Sequence, residues 1–220
     1  MRVSGETILY DPYRSRPISD FCEELKFEFP KLPEPMLHFY VAKAARHAAV
    51  QGNLVRRRAF IQSLPGEEEY LLESPDGLEV TGILRIAELP HCSCAMDVRR
   101  TFTFPEGCRF CGRRTAWYEP NEKALHIDRT CCGSEFLVEL AVAPARDACE
   151  LPVVLYDDWL ELIVTGARAN VLLVPGRDWT SMPLGRAYMQ EFYNRVRDAA
   201  VDTAAHRMKG GARMDFGRVM

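Results

Sequence analysis

The chain has 220 residues, 47% of them hydrophobic, enough apolar material for one large domain or two small ones. Its formal net charge of −3 and isoelectric point near 6.0 provide no basic footprint for general nucleic-acid binding. No run of about eighteen apolar residues occurs, so no membrane-spanning helix is expected. Met1-Arg2-Val3-Ser4-Gly5-Glu6 lacks the apolar centre of a signal peptide, which predicts synthesis in the cytosol, and no internal repeat is visible.

The N-terminal part, residues 1–58, reads as helical. Asp20 is placed to cap a short helix carrying Phe21 and Leu25, with Glu23 three residues on for a capping box. The prolines of Phe29-Pro30-Lys31-Leu32-Pro33-Glu34-Pro35 break it, because each removes a donor and pushes its predecessor toward extended geometry. A second helix is predicted from about Glu34 to Val50. Leu37, Val41, Ala44, Ala45 and Ala48 share one face of it, and Gly52-Asn53 ends it. Alanine on that face predicts a close helix–helix approach, about 8 Å between axes. The following Arg56-Arg57-Arg58 reads as a solvated turn, with a phosphate or partner site as the sharper alternative.

Between Ala59 and Pro144 the hydrophobic period changes to that of strands. Tyr70–Glu73 and Leu78–Ile86 flank the turn Ser74-Pro75-Asp76-Gly77, and Thr101–Phe104 alternates with both phenylalanines on one side. Ala116–Glu119 and Ala124–Asp128 form a hairpin around Pro120-Asn121-Glu122-Lys123. Glu135–Ala143 carries Phe136, Val138, Leu140 and Val142 on one face and Leu137 on the other, the mark of a central or well-covered strand.

Six of the eight cysteines lie between positions 92 and 132. Cys108-Arg109-Phe110-Cys111-Gly112-Arg113 has the form of a zinc knuckle, and Cys92 and Cys94 could complete a tetrahedral four-sulfur site, with His91 or His126 as substitute ligands. Free thiols and late disulfides in Cys131-Cys132 and the rest are the alternatives, since buried free cysteine is common and Cys-x-Cys is a less usual half-site. A structural zinc ion is therefore one reading and is not required by the others.

The last third of the chain is the most patterned. Leu155, Trp159, Leu162, Ile163, Gly166, Ala169 and Leu173 recur at three- and four-residue steps, predicting one helix from Leu155 to Val174. Pro175-Gly176 stops it. Thr180 or Ser181 can cap a second helix with Pro183 in its first turn, carrying Leu184, Tyr188, Phe192, Val196 and Ala199 on one stripe. The expected product is an antiparallel helical hairpin anchored by buried Trp159 and Trp179, with Tyr188 and Phe192 packed nearby. Gly210-Gly211 ends the second helix, since paired glycines forfeit propensity of about 1 kcal/mol each.

Ala143-Pro144, the Glu150-Leu151-Pro152 element, Gly166-Ala167 and Pro175-Gly176-Arg177-Asp178-Trp179, in that order and followed by Tyr188 and Phe192, resemble the head-to-tail adaptor (connector) family of short-tailed bacteriophages, the tail tubular protein A group. The two N-terminal helices around a Leu-Pro-x-Pro linker and the Trp117–Ile127 hairpin are also similar to that family. The resemblance implies an α+β chain in which a helical bundle, built from residues 1–58 and the hairpin at 151–209, carries an inserted β-rich, cysteine-containing module at 59–150. It implies a virion structural protein of the head-tail junction, assembled in the host cytoplasm as a homo-oligomeric, dodecameric ring. Such a ring docks on the portal protein, receives the tail nozzle, and extends a channel through which genomic double-stranded DNA passes without sequence-specific binding. A C-terminal extension at 210–220 implies portal docking by a flexible tail, for which Arg207, Lys209, Arg213, Met214, Phe216, Arg218, Val219 and Met220 are the candidate residues.

Other function classes find less in the chain. No Gly-x-Gly-x-x-Gly, phosphate-loop, His-Glu-x-x-His or Gly-x-Ser-x-Gly pattern is present, and Cys108-x-x-Cys111 has no βαβ context for a redox motif, so no enzyme is expected. Asp157, Asp158 and Glu161 read as solvated charge near a helix start. The competing reading, a small zinc-ribbon-like nucleic-acid-binding or regulatory protein, accounts for the cysteines and leaves the C-terminal hairpin without a role.

Overall fold

Helix and strand alternate in blocks along the chain, which makes it α+β. The computed structural model describes residues 9–10, 14–62, 67–72, 77–89, 96–97, 101–103, 115–119, 123–127 and 135–211. In chain order the elements are β1 (Leu9–Tyr10), β2 (Ser15–Pro17), a 3-10 turn (Ile18–Cys22), α1 (Glu23–Glu28), α2 (Glu34–Gly52), β3 (Val55–Gln62), β4 (Glu69–Leu71) and β5 (Leu78–Leu89). There follow β6 (Met96–Asp97), β7 (Thr101–Thr103), β8 (Thr115–Glu119), β9 (Ala124–Ile127), β10 (Glu135–Pro144), β11 (Glu150–Pro152), α3 (Val153–Asp157), α4 (Leu160–Leu172) and α5 (Met182–Gly211). They fall into two units, Met1–Arg14 with Val55–Asp147, and Ser15–Leu54 with Ala148–Met220.

The first unit holds a five-stranded antiparallel sheet in the order β1-β3-β10-β5-β6 and a four-stranded one in the order β4-β9-β8-β7. Strand β10 is central, as its two apolar faces require. Val138 lies between Ala59 of β3 and Ile86 of β5, and Leu140 between Arg57 and Ile83. Irregularities in the β5 pairing after Glu139 and after Ala141 disturb the simple alternation, and Leu140, Ala141, Val142 and Ala143 are all buried. Arg56–Arg58, expected in a solvated turn, instead belongs to β3, because the alternation Val55, Arg57, Ala59, Ile61 turns one face inward. Arg57 is buried in that row, and Arg56 on the other face reaches Glu139 at 3.4 Å. In the smaller sheet the predicted hairpin is present, with Trp117 opposite His126 and Tyr118 opposite Leu125.

The second unit opens with a two-stranded ribbon, β2 against β11, extended by a bond from the Ile18 amide to the Cys149 carbonyl. Leu37, Val41, Ala44, Ala45 and Ala48 are buried on α2 as the spacing predicts, and α2 packs against α4 and α5. Asn53 closes α2 in the left-handed region at φ 48°, a conformation asparagine tolerates better than most side chains. The expected Asp20 cap is absent. Asp20 sits inside the 3-10 turn and pairs with Arg16 at 3.4 Å, and α1 starts with no side-chain cap. The helix predicted from Leu155 to Val174 is two helices. Asp158 closes α3 with a last helical bond from its amide to the Val154 carbonyl, and Trp159 (φ −131°, ψ 14°) then leaves helical geometry, so Leu155 packs from α3 while the Trp159 carbonyl starts α4 by accepting from Ile163 at 3.1 Å.

Phe136 is fully buried on β10, in register with Ile61 of β3, whereas Phe60 lies on the outward face at 39% exposure. Phe136→Ala should lower unfolding free energy by about 3–5 kcal/mol in denaturant titration. Phe60→Ala should change it by no more than about 1 kcal/mol.

Candidate interaction site at the helical hairpin

Two glycines let the hairpin close. A Cβ on Gly166 of α4 would lie 2.7 Å from the Phe192 ring of α5, and one on Gly185 would lie 2.9 Å from the Leu173 side chain. Neither distance is sterically tolerable, so the missing side chains set how closely α5 lies on α4. Phe192 is buried at 2% exposure, and its stripe continues through Val196 and Ala199. Trp159 and Trp179, expected as buried anchors, are only half-buried, as is Tyr188. Leu184 at the start of the expected stripe is exposed, because Gly185 beside it is the residue turned toward Leu173. Tyr188 has the Arg168 guanidinium 5.3 Å from its ring centroid, and Arg168 is held by Glu28 at 2.6 Å.

The turn between the helices is closed by its own polar groups. Gly176 takes φ +73°, where a side chain would be strained. Thr180, considered as a cap, is used otherwise: its hydroxyl donates to the Val174 carbonyl at 2.5 Å and accepts from the Arg177 amide at 3.0 Å. Ser181 joins the two helices through its amide, which donates to the Leu172 carbonyl at 3.0 Å, and its carbonyl begins α5 by accepting from Gly185. Beside this turn lies a cavity of about 280 Å³, lined by Gly176, Arg177, Asp178 and Trp179, by Lys31 and Pro33 of the loop before α2, and by Met36 of the first turn of α2. Lys31 and Asp178 are paired across it at 3.2 Å, both strongly exposed. The indole Nε1 of Trp179 is buried without an acceptor.

His47 of α2 meets the same aromatic group at a tilt, its ring centroid 5.5 Å from that of Phe192 and 5.3 Å from that of Tyr193. Burial, and secondarily the charge of Lys43, holds its pKa below the ordinary value near 6.5. Periodicity placed the hairpin stripe, but Lys31 and His47 carry no local signal of their approach to it, since both contacts bridge more than a hundred residues.

The remaining candidates are placed as follows. Cys92, Cys94, Cys108, Cys111, Cys131, Cys132 and His91 lie outside the described residues, as do Arg213, Met214, Phe216, Arg218, Val219 and Met220. Arg207 and Lys209 belong to the last turns of α5, which runs to the predicted Gly210-Gly211 end. Among the described residues no three His, Cys, Asp or Glu side chains converge as a metal site. Of the two described cysteines, Cys149 is exposed and Cys22 is buried, its thiol donating to the Ile18 carbonyl and pushed up to about 11 chiefly by burial. His126 of β9 lies 3.8 Å from Glu119. Asp157 and Asp158 are exposed, and Glu161 pairs with Arg195 at 3.1 Å. No described helix is long and apolar enough to cross a membrane.

Compared with known proteins, the chain matches no family model and no curated protein.

Gly166→Ala should destabilise the protein by about 1–3 kcal/mol by forcing the Phe192 ring aside. Adding Phe192→Leu should recover part of that loss, a non-additivity measurable by thermal melts of the single and double variants. The lowered His47 pKa predicts a second effect. As pH falls below about 6.5 the unfolded chain takes up the proton first, so stability declines until the folded-state pKa is passed. His47→Gln should remove this component, seen as a flatter dependence of the denaturation midpoint as pH falls below about 6.5.

Proposed function

We propose that the chain is a head-to-tail adaptor of a short-tailed bacteriophage virion, a ring subunit between the portal and the tail nozzle. In this reading the N-terminal helices and the α4–α5 hairpin form one helical bundle, and the strand unit is a module inserted into it. The observation that carries the reading is the hairpin. Its Gly-Ala pair, Pro-Gly-x-x-Trp turn and long final helix, the pieces of the sequence resemblance, are also the pieces that build it: Gly166 receives Phe192, Gly176 turns the chain, and α5 runs for 30 residues, more than twice the 13 of α4. A long helical face suits a subunit that must present two different complementary surfaces to its neighbours in a closed ring. The acidic isoelectric point suits a channel that lets DNA pass without gripping phosphates.

The adaptor reading is tested by mixing the purified chain with a portal protein from the same genome and measuring the mass of the product. The full chain should join the portal as a ring of twelve copies. A chain ending at Gly211 should keep its circular dichroism and melting temperature yet fail to join. Failure of the full chain to associate overturns the adaptor reading. Association of the truncated chain with undiminished affinity overturns only the docking role of the tail.

A further inference from the structure

We propose that the cavity beside the hairpin turn binds a carboxylate-bearing peptide segment of a partner protein. The inference is independent of the ring reading, because it rests on the chemistry of the cavity alone. Two cationic side chains, Lys31 and Arg177, line it against a single carboxylate, Asp178, so the site carries a surplus of positive charge within an acidic protein. The Lys31–Asp178 pair at 3.2 Å has side chains 76% and 81% exposed, and an ion pair that exposed contributes little to stability. Asp178 thus acts as a replaceable internal counter-ion, and an incoming carboxylate can take its place on Lys31 and engage the Arg177 guanidinium with two bonds.

The other lining groups select a peptide over a small anion. The exposed lining is mainly polar, and Pro33, Met36 and the half-buried Trp179 ring add a smaller apolar share that an aliphatic stem can cover and inorganic phosphate would leave unused. Trp179 also has its indole N–H buried with no acceptor, a state that buried indoles rarely tolerate. The atom is buried, so a main-chain carbonyl, which a peptide carries and a free carboxylate ion does not, would reach it only after the ring turns. The backbone behind the site is already fixed: Thr180 holds Val174 and Arg177, and Ser181 holds Leu172. Little ordering therefore remains for binding to supply.

The test uses the full chain, with pentaglutamate, pentaglutamine and inorganic phosphate as probes, calorimetry for affinity and tryptophan emission for location. Pentaglutamate should bind saturably and shift the emission. That shift should vanish in Trp179→Phe, which retains Trp117 and Trp159 as internal controls. Lys31→Gln and Arg177→Gln, both at exposed positions, should each weaken binding by about tenfold or more. Asp178→Asn should strengthen it, a gain that damage to the fold would not produce. Pentaglutamine and phosphate should not bind in the same concentration range. The proposal is overturned if pentaglutamate does not bind, if the two cation variants bind it as well as the native chain, or if phosphate binds equally.

Discussion

The helical unit depends on one close approach, the Phe192 ring of α5 resting on the backbone of α4 at Gly166. A side chain there would stand 2.7 Å from the ring, so only glycine permits the two helices to meet at this separation. Once they meet, the burial of Phe192, Val196 and Ala199 becomes available, and the same closure sets the place at which the chain must turn. The polar bonds of the turn then follow from a geometry that packing has already imposed. His47 meets Phe192 from α2, so the third helix of the core is referred to the same ring.

In the strand unit the corresponding constraint is the central place of β10. A strand paired on both sides satisfies its backbone with β3 and β5, and it buries the row Phe136, Val138, Leu140 and Val142 completely while Leu137 and Glu139 on the other face stay half-buried. Disrupted register on the β5 side lets consecutive residues, Leu140 to Ala143, all be buried. This is also why Arg57 is drawn inward. Its position is dictated by the alternation of β3 opposite a strand that cannot shift by one residue without exposing Val138 and Leu140.

The turn of the hairpin joins architecture to interaction. Its interior groups are committed to holding two helices together, while Arg177, Asp178 and Lys31 are left at the surface in an arrangement of weakly paired charge. Rigid backbone beneath adaptable charged tips is what recognition surfaces require, since most of the ordering cost is met before a partner arrives. Here that arrangement lies where chain reversal already demanded a fixed loop.

By itself the sequence determined the kind and order of the longer elements, and missed the short strands β1, β2, β6 and β11. The period of the buried positions in α2, β10 and α5, the proline break before α2 and the glycine pair that ends α5 are local properties, set by dihedral preference and by which side of an element is apolar. Tertiary structure decided what local spacing cannot encode. The stripe through Leu155 and Trp159 satisfied helical periodicity yet was split at Asp158–Trp159, because periodicity registers which side is apolar and is blind to a change of axis. Asp20 had the chemistry of a cap but lay inside a 3-10 turn, where Arg16 was the nearer partner. Three consecutive arginines read as a solvated turn because charge dominates a local window, whereas pairing with β10 assigned their faces. Lys31 and Asp178 meet across 147 positions, a distance over which only the packing of helices, and no pattern along the chain, can bring two charges together.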